Sequence, residues 1–389
     1  MDFTLSEEQQ AIRETCRDFA REVVAPAAAE LDRNHRFGYD IVRQMGELGL
    51  FGLPFSEEFG GAGADFLSLC LAIEEISRAD TGVGITLEAA VCLGAAPIYE
   101  FGTRAQKEQW LPELLAGRRL WSFGLTEPEA GSDAGATKTR AEESDGHWVV
   151  NGAKQFITNC GTEISAGVTV TAVTGRSNTN TGEAEISAIL IPTGTPGYHV
   201  LESYRKLGWH SSDTHPLSFE DCAVPLDNLL GPRGGGYRQF LHTLTGGRIA
   251  IAALSVGLAQ ACLDAALAYA KERKTFGEPI SKHQAIQFKL ADMAMETELA
   301  RTMVYRAAVA YAHAGEQTTD EVRMLAAMCK LYASEASKRA ADSALQIHGG
   351  YGFMEDYPVA RYWRDVKVNE IGEGTSEVQR ILIARLLGL

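Results

Sequence analysis

Five short segments of this chain carry side chains suited to chemistry, and they are spread along its whole length. Leu125-Thr126-Glu127-Pro128-Glu129-Ala130-Gly131-Ser132-Asp133 combines hydroxyls with a glycine that lets backbone approach a ligand, although a purely structural turn has the same composition. Lys154-Gln155-Phe156-Ile157-Thr158-Asn159 alternates an aromatic with a hydroxyl along a strand, which suits either a core strand or the wall of a cofactor site. Glu272-Arg273-Lys274-Thr275-Phe276-Gly277 ends a helical stretch with a basic pair, which either offsets a helix dipole or meets an anion. The glycines of Gln346-Ile347-His348-Gly349-Gly350-Tyr351-Gly352-Phe353 suit a helix end or a backbone that approaches phosphate. In Ile371-Gly372-Glu373-Gly374-Thr375-Ser376-Glu377-Val378-Gln379-Arg380 an acid stands between two glycines just before a helix start, which frees the backbone to place one carboxylate in a cleft.

The elements that must position these residues follow from the apolar pattern. Ser6-Glu7-Glu8-Gln9 has capping-box spacing, and Ile12, Cys16, Phe19, Val23 and Val24 recur at three and four residue intervals, so residues 1–120 are expected to form an α-helical domain. Helical stretches resume there around Phe66 to Arg78 and Thr86 to Phe101. Between 121 and 232 the period becomes that of strands. His147 to Val150, an Asn151-Gly152 hairpin turn, then Lys154 to Thr158 begin the pattern, and Val168 to Val173, Ile186 to Ile191 and Leu217 to Val224 continue it. A small antiparallel barrel or sandwich answers to that pattern. The run Gly234-Gly235-Gly236 marks a join, and residues 233–389 are expected to be a four-helix bundle of Ile249 to Ala270, Ala285 to Tyr311, Val322 to Ile347 and Ser376 to Leu387. The fold class is therefore α+β and multidomain, in the order α, β, α.

Composition narrows the partners. With 51 Asp and Glu against 36 Lys and Arg the net charge is −15, which repels nucleic acid and anionic lipid and requires a local basic pocket for any anionic ligand. Seven cysteines (Cys16, Cys70, Cys92, Cys160, Cys222, Cys262, Cys329) lie far apart with no C-x-x-C pair, so neither a disulfide framework nor a zinc site is expected, and no metal. Reduced thiols and a start without a signal or transit pattern point to the cytoplasm. Gln260 and Asp264 interrupt the apolar run Ile249 to Ala270, which reads as a buried bundle helix rather than a membrane insertion.

Taken jointly and in this order, TEPEAGSD, KQFITN, KLGWHSSDT, RKTFG, QIHGGYGF and EGTSEVQR resemble the acyl-CoA dehydrogenase family over essentially the whole chain. The resemblance implies a flavoprotein with an N-terminal helical domain, a middle antiparallel β domain and a C-terminal four-helix bundle, assembled as a homotetramer with FAD extended between subunits. It implies that Phe123, Leu125, Thr126, Ser132, Phe156 and Thr158 wrap the flavin, with Thr375 and Glu377 beside it. Arg273, Thr275, Phe276, Gln346 and Gly350 are then expected at the pyrophosphate and adenosine of a neighbouring subunit's FAD, which would supply the basic pocket an acidic protein needs. An acyl-CoA thioester would lie between flavin and Glu373, which removes the α proton while the β hydrogen leaves as hydride to flavin N5. Electrons would pass to an electron-transfer flavoprotein. The thioester oxygen would be met by a flavin hydroxyl and the backbone N–H of Glu373.

Some relatives carry the base in the segment Leu244-Thr245-Gly246-Gly247-Arg248, but Gly247 occupies that site here, which leaves Glu373 as the assignment. Arg248, Thr245, Ser132, Gly372 and Gly374 are expected on the substrate side. Two positions depart from the family pattern: Thr245 stands where an acid is usual, and His215 where Arg is common after Ser212-Asp213-Thr214. Relatives with a tyrosine before the base have a narrower pocket than Gly372 allows, and the helix carrying Thr86, Leu87, Glu88 and Leu93 is expected at the far end of the acyl chain. Together these favour short to medium acyl groups with bulk near the α or β carbon. The alternatives are an acyl-CoA oxidase or another flavoenzyme of the same fold and, from a different class, a non-catalytic helical scaffold; Glu373 argues against a base-free enzyme, and the retained cofactor motifs argue against the scaffold.

Overall fold

The structure is a computed structural model and describes residues 4–176, 184–315 and 318–389. Ser6 accepts from the Gln9 N–H while the Gln9 side chain accepts from the Ser6 N–H, closing the expected capping box and starting α1 (Glu7–Phe19). A π-helical turn, Ala20–Val24, carries the chain into α2 (Ala25–Asn34). There follow α3 (Tyr39–Glu47), α4 (Phe66–Ala79), α5 (Thr81–Glu88), α6 (Ala96–Phe101) and α7 (Arg104–Leu115). Asp65 and Asp80 cap α4 and α5 through the N–H groups of Ser68 and Val83. A second π-helical turn, Ala89–Ala95, joins α5 to α6 without a break.

The strands are β1 (Leu120–Gly124), β2 (Arg140–Ser144), β3 (His147–Thr158), β4 (Ser165–Arg176), β5 (Ala184–Pro192), β6 (Tyr198–Val200), β7 (Thr214–Pro225) and β8 (Leu229–Leu230). They form one sheet in the order β6-β7-β3-β2-β4-β5-β8, largely antiparallel, with β1 added parallel to β4. Trp148, Val150, Val168, Val170, Leu217 and Phe219 share its buried core. The expected Asn151-Gly152 hairpin turn does not form. β3 runs straight through it, and the turn that joins β2 to β3 is Asp145-Gly146, with φ of 49° and 77°. Gly152 instead sits at a break in register with β7, at φ 149°, where Thr139 leaves no room for a Cβ. Asn151 is held there by the Asp221 N–H at 2.8 Å.

The remaining elements are α8 (Gly236–Glu272), a hairpin of β9 (Lys274–Thr275) and β10 (Glu278–Pro279), α9 (Gln284–Ala314), α10 (Asp320–His348), α11 (Pro358–Asn369) and α12 (Ser376–Leu386). Among the described residues the four expected helices are accompanied by a further one, α11, which was not expected. Its buried face includes Arg361 and Asp365 beside Val359 and Val366, and those charges interrupt the apolar period that would have announced it. The 37-residue α8 is the spine of the molecule and packs on α4, α5, α9 and α10. Small residues let it do so: a Cβ on Gly257 would overlap the Glu74 carbonyl of α4, and Ala259, Ala266 and Ala270 share a core with Ala340, Ala341 and Ala344 of α10. By length and hydropathy, Thr81–Phe101 and Gly236–Glu272 could each cross a membrane, but 89% and 78% of their most apolar windows are buried inside the protein.

Candidate active site

Glu373 lies between α11 and α12. The N–H groups of Ile371 and Gly372 both bond the Val368 carbonyl, ending α11, and the chain then turns left-handed at Glu373 (φ 55°) and Gly374 (φ 95°) before Thr375 caps α12. Three buried side chains hold this turn by its carbonyls. Lys330 Nζ of α10 donates to Gly374 O at 2.8 Å, Gln379 Nε2 of α12 to the same oxygen at 2.9 Å, and Arg248 Nε of α8 to Glu373 O at 3.3 Å. With its backbone anchored, the Glu373 side chain lies over Gly247. A Cβ built on Gly247 would overlap Oε2 and come within 3.0 Å of Cδ. Both carboxyl oxygens are buried and neither has a conventional hydrogen-bond partner. Burial is the main force on this group and pushes its pKa up to about 7, against the opposing pull of Glu88, Arg248 and Lys330. Burial also brings Lys330 down to about 8.

Glu88, at the end of α5, is fully enclosed and its carboxyl faces that of Glu373. The helix expected at the far end of an acyl chain thus brings Glu88 against the Glu373 carboxyl. The sequence places Glu88 on a helix but carries no signal that this helix packs on α8 and brings Glu88 to Glu373, which are long-range contacts. Thr245 is buried with its hydroxyl donating to Leu241 O at 3.4 Å in its own helix. Gly372 adopts no left-handed φ, and a Cβ there would meet only Val368 O at 3.5 Å, leaving open space.

A second group surrounds the start of the β domain. Phe123 of β1 stacks on Phe240 of α8 with centroids 4.0 Å apart. The Thr126 carbonyl accepts from the Gln155 N–H at 2.8 Å, so the two loop motifs are stitched side by side. Beneath them lies an ion pair that sequence reasoning missed: Lys154 Nζ, fully buried, meets Glu127 Oε1 at 2.7 Å, Thr171 Oγ1 at 3.0 Å and Leu125 O at 3.2 Å. Burial alone would raise Glu127, but Lys154 and the Thr137 and Lys138 donors outweigh it and hold the carboxyl at about 2. Above this pair Phe156 is 61% exposed at φ 60°, where β3 breaks register, and Thr158 pairs with Thr214. Ser132 is exposed on its loop, and Glu377 is exposed in the first turn of α12.

The third group is separate. Arg273, Thr275 and Gly350 line a cavity of about 590 Å³ with Tyr269, His283 and Tyr351. Arg273 lies over the Tyr351 ring at 5.6 Å, Thr275 meets His283 at 3.0 Å, and a Cβ on Gly350 would touch nothing. Phe276 and Gly277 form the tip of the β9–β10 hairpin, both left-handed, and Phe276 is 98% exposed. Gln346 is exposed on α10 beside this cavity's Ile347 and His348. Among the described residues no hydrogen bond or ring contact joins this group to the one around Phe156.

His215 also has a local explanation. Its two ring nitrogens face Leu201 O and the Asp213 carboxylate, both at 2.7 Å, and the Asp213 bond raises its pKa. A ring with acceptors on both sides is best met as imidazolium, so a cation is favoured at this position.

Sequence models of the acyl-CoA dehydrogenase N-terminal, middle and C-terminal domains match residues 6–118, 122–222 and 234–388. A probable acyl-CoA dehydrogenase of Bacillus subtilis is 52% identical over 387 residues, covering 100% of both chains. Among solved structures, butyryl-CoA dehydrogenase from Megasphaera elsdenii superposes with a TM-score of 0.94 at 41% identity over 100% of both chains. An acyl-CoA dehydrogenase from Bacillus anthracis complexed with FAD has a TM-score of 0.90 at 34% identity, covering 98% of this chain and 67% of that one.

Proposed function

Since the chain belongs to the acyl-CoA dehydrogenase family, a family of FAD-dependent oxidoreductases, we propose that it desaturates a short acyl-CoA thioester between its α and β carbons with Glu373 as the base. The observation that carries this reading is the Glu373 carboxyl: its backbone is clamped from three helices, its oxygens are buried without a partner, and its proton affinity is close to neutrality. A carboxylate with those properties is ionised in useful amount at working pH and basic enough to take an acidified α proton. Gly247 supports the assignment, since the space a rival base would need is filled by the Glu373 carboxyl.

The residues present fit FAD. Phe156 offers an exposed ring on β3, next to Gln155, whose N–H is bonded to Thr126, and two residues before Thr158. The cavity at Arg273 combines a cation, the Thr275 hydroxyl and the open backbone of Gly350, which is the donor set a pyrophosphate requires. When bound, FAD supplies the acceptor for the β hydrogen as hydride. The Glu373 N–H, which has no acceptor among the described residues, is available to the thioester oxygen. Arg248 and Lys330 keep negative charge on Glu373 tolerable before proton transfer, and enclosure of its carboxyl limits hydration of that charge and so keeps it basic.

We assign Arg273, Thr275, Phe276, Gln346 and Gly350 to the FAD of a second subunit within a homotetramer. Separation of the two residue groups and the bare Phe276 ring support that reading, as does the exposed apolar row Phe288, Met295 and Leu299 on α9. Similarity to a butyryl-CoA dehydrogenase supports a short acyl chain. Electrons then pass to an electron-transfer flavoprotein, and the buried free thiols suit a cytoplasmic setting. The test is Glu373→Gln, assayed by anaerobic flavin bleaching with butyryl-CoA and then by admitting oxygen or an electron-transfer flavoprotein. The variant should keep FAD and lose about 10²–10⁴ in reduction rate. Reduction near the parent rate would assign the base elsewhere, and reoxidation faster with oxygen than with the flavoprotein would make the enzyme an oxidase.

A further inference from the structure

Glu88 is the last residue of α5, where the helix widens into the π-helical turn Ala89–Ala95, a local distortion often found where a helix serves a site. Its side chain is completely enclosed, and neither carboxyl oxygen has a conventional partner. A buried acid with nothing to bond is unfavourable, so the polar group it faces matters. That neighbour is Glu373, whose own two oxygens are equally unpartnered. Two carboxylates are both acceptors and repel each other. A carboxylic acid and a carboxylate form a charge-assisted hydrogen bond, and each then satisfies the other.

We propose that Glu88 is the proton-holding member of this pair: its carboxylic acid donates to the Glu373 carboxylate, orients the base, and sets the pH range in which the base is ionised. The inference rests on Glu373 being the base and adds a positioning residue that the reaction class does not require.

The surroundings decide which carboxyl keeps the proton. Arg248 of α8 and Lys330 of α10 act on Glu373, whereas the other titratable groups facing Glu88 are the thiols Cys92, in the π-helical turn, and Cys70 of α4. Burial holds both thiols in the neutral form, and among the described residues no cation is seen to act on Glu88. Burial raises the Glu88 carboxyl well above the ordinary range and the charge of Glu373 raises it further. The Glu88 hydrogen bond in turn lowers Glu373. Negative charge therefore settles on Glu373, the carboxyl nearer the cations.

Two measurements test this. Infrared difference spectra of the FAD-loaded protein without substrate should reveal one protonated buried carboxyl at pH 8, absent in Glu88→Gln and present in Glu373→Gln. The pH dependence of anaerobic flavin reduction by butyryl-CoA provides the second readout. Glu88→Leu removes the donor, so the acid limb should move up by about one pH unit, giving about tenfold slower reduction at pH 6 and less than twofold at pH 9. Glu88→Gln keeps an N–H donor of the same size and should restore the parent limb. A parent without a protonated carboxyl at pH 8, or a leucine variant whose profile overlays the parent, would overturn the proposal. Persistence of the Glu88 infrared band in a protein whose Glu373→Gln form still reduces flavin would instead sink the assignment of the base.

Discussion

Gly247→Ala is the smallest change that separates the position of the proposed base from the stability of the fold. Gly247 is inside α8 with ordinary helical backbone, so alanine there should be neutral or stabilising through the roughly 0.5–1 kcal/mol by which glycine weakens a helix. Its new Cβ, however, would overlap Glu373 Oε2 and lie 3.0 Å from Cδ and 3.2 Å from Oε1. Carbon contacts are comfortable at about 3.5–4.0 Å, so one partner must withdraw by something near 1 Å. The helix cannot yield, because Gly257, three turns on, is already against the α4 backbone. The carboxyl is the end of a flexible side chain and moves. A misplacement of about 1 Å at a reacting group costs on the order of 10²-fold in rate. Rapid-mixing measurement of flavin bleaching by butyryl-CoA should thus slow about 100-fold while FAD content holds and the melting temperature stays level or rises. Parent-like reduction would show that the carboxyl does not work over Gly247. A rate loss matched by lost FAD and a lower melting temperature would show general damage and refute the argument equally.

Arg273→Ala removes a charge-assisted contact of about 1.5–3 kcal/mol, so FAD affinity should fall roughly 10- to 100-fold, and the melting temperature should fall in a manner that added FAD reverses. A variant monomer that holds FAD as tightly as the parent in equilibrium titration would remove Arg273 from a second subunit's cofactor site. Gly372→Tyr fills open space at a position whose φ accepts any side chain; kcat/KM should drop at least tenfold for acyl-CoAs branched near the α or β carbon and less than about threefold for butyryl-CoA. Equal losses in both classes would show that Gly372 does not set the pocket's width.

What the residues revealed beforehand and what they concealed have separate physical causes. The capping box of α1 and the long apolar faces of α8, α9 and α10 are local patterns, and the structure has them where they were expected. Asn151-Gly152 misled because the same dipeptide serves a register break inside a strand, while Asp145-Gly146 six residues earlier had equal turn chemistry. The α11 helix was hidden by the buried charges Arg361 and Asp365. At the site, glycine-flanked Glu373 could be read from its neighbours. The Lys154–Glu127 pair and the meeting of Glu88 with Glu373 could not, since each joins residues far apart in the chain and neither has a local spacing rule.

Phe156, Phe276 and Glu373 each occupy left-handed backbone, at φ of 60°, 53° and 55°. For residues of this kind that conformation costs roughly 1–2 kcal/mol, and glycine would occupy it freely. An engineer seeking heat resistance by matching residue to local geometry would therefore choose glycine at all three positions; on the assignments proposed above, the product would be sturdier but would hold FAD less well and lack its base. Resistance would have to be drawn from elsewhere, and the surfaces of helices remote from the three motifs are where substitutions can be made freely.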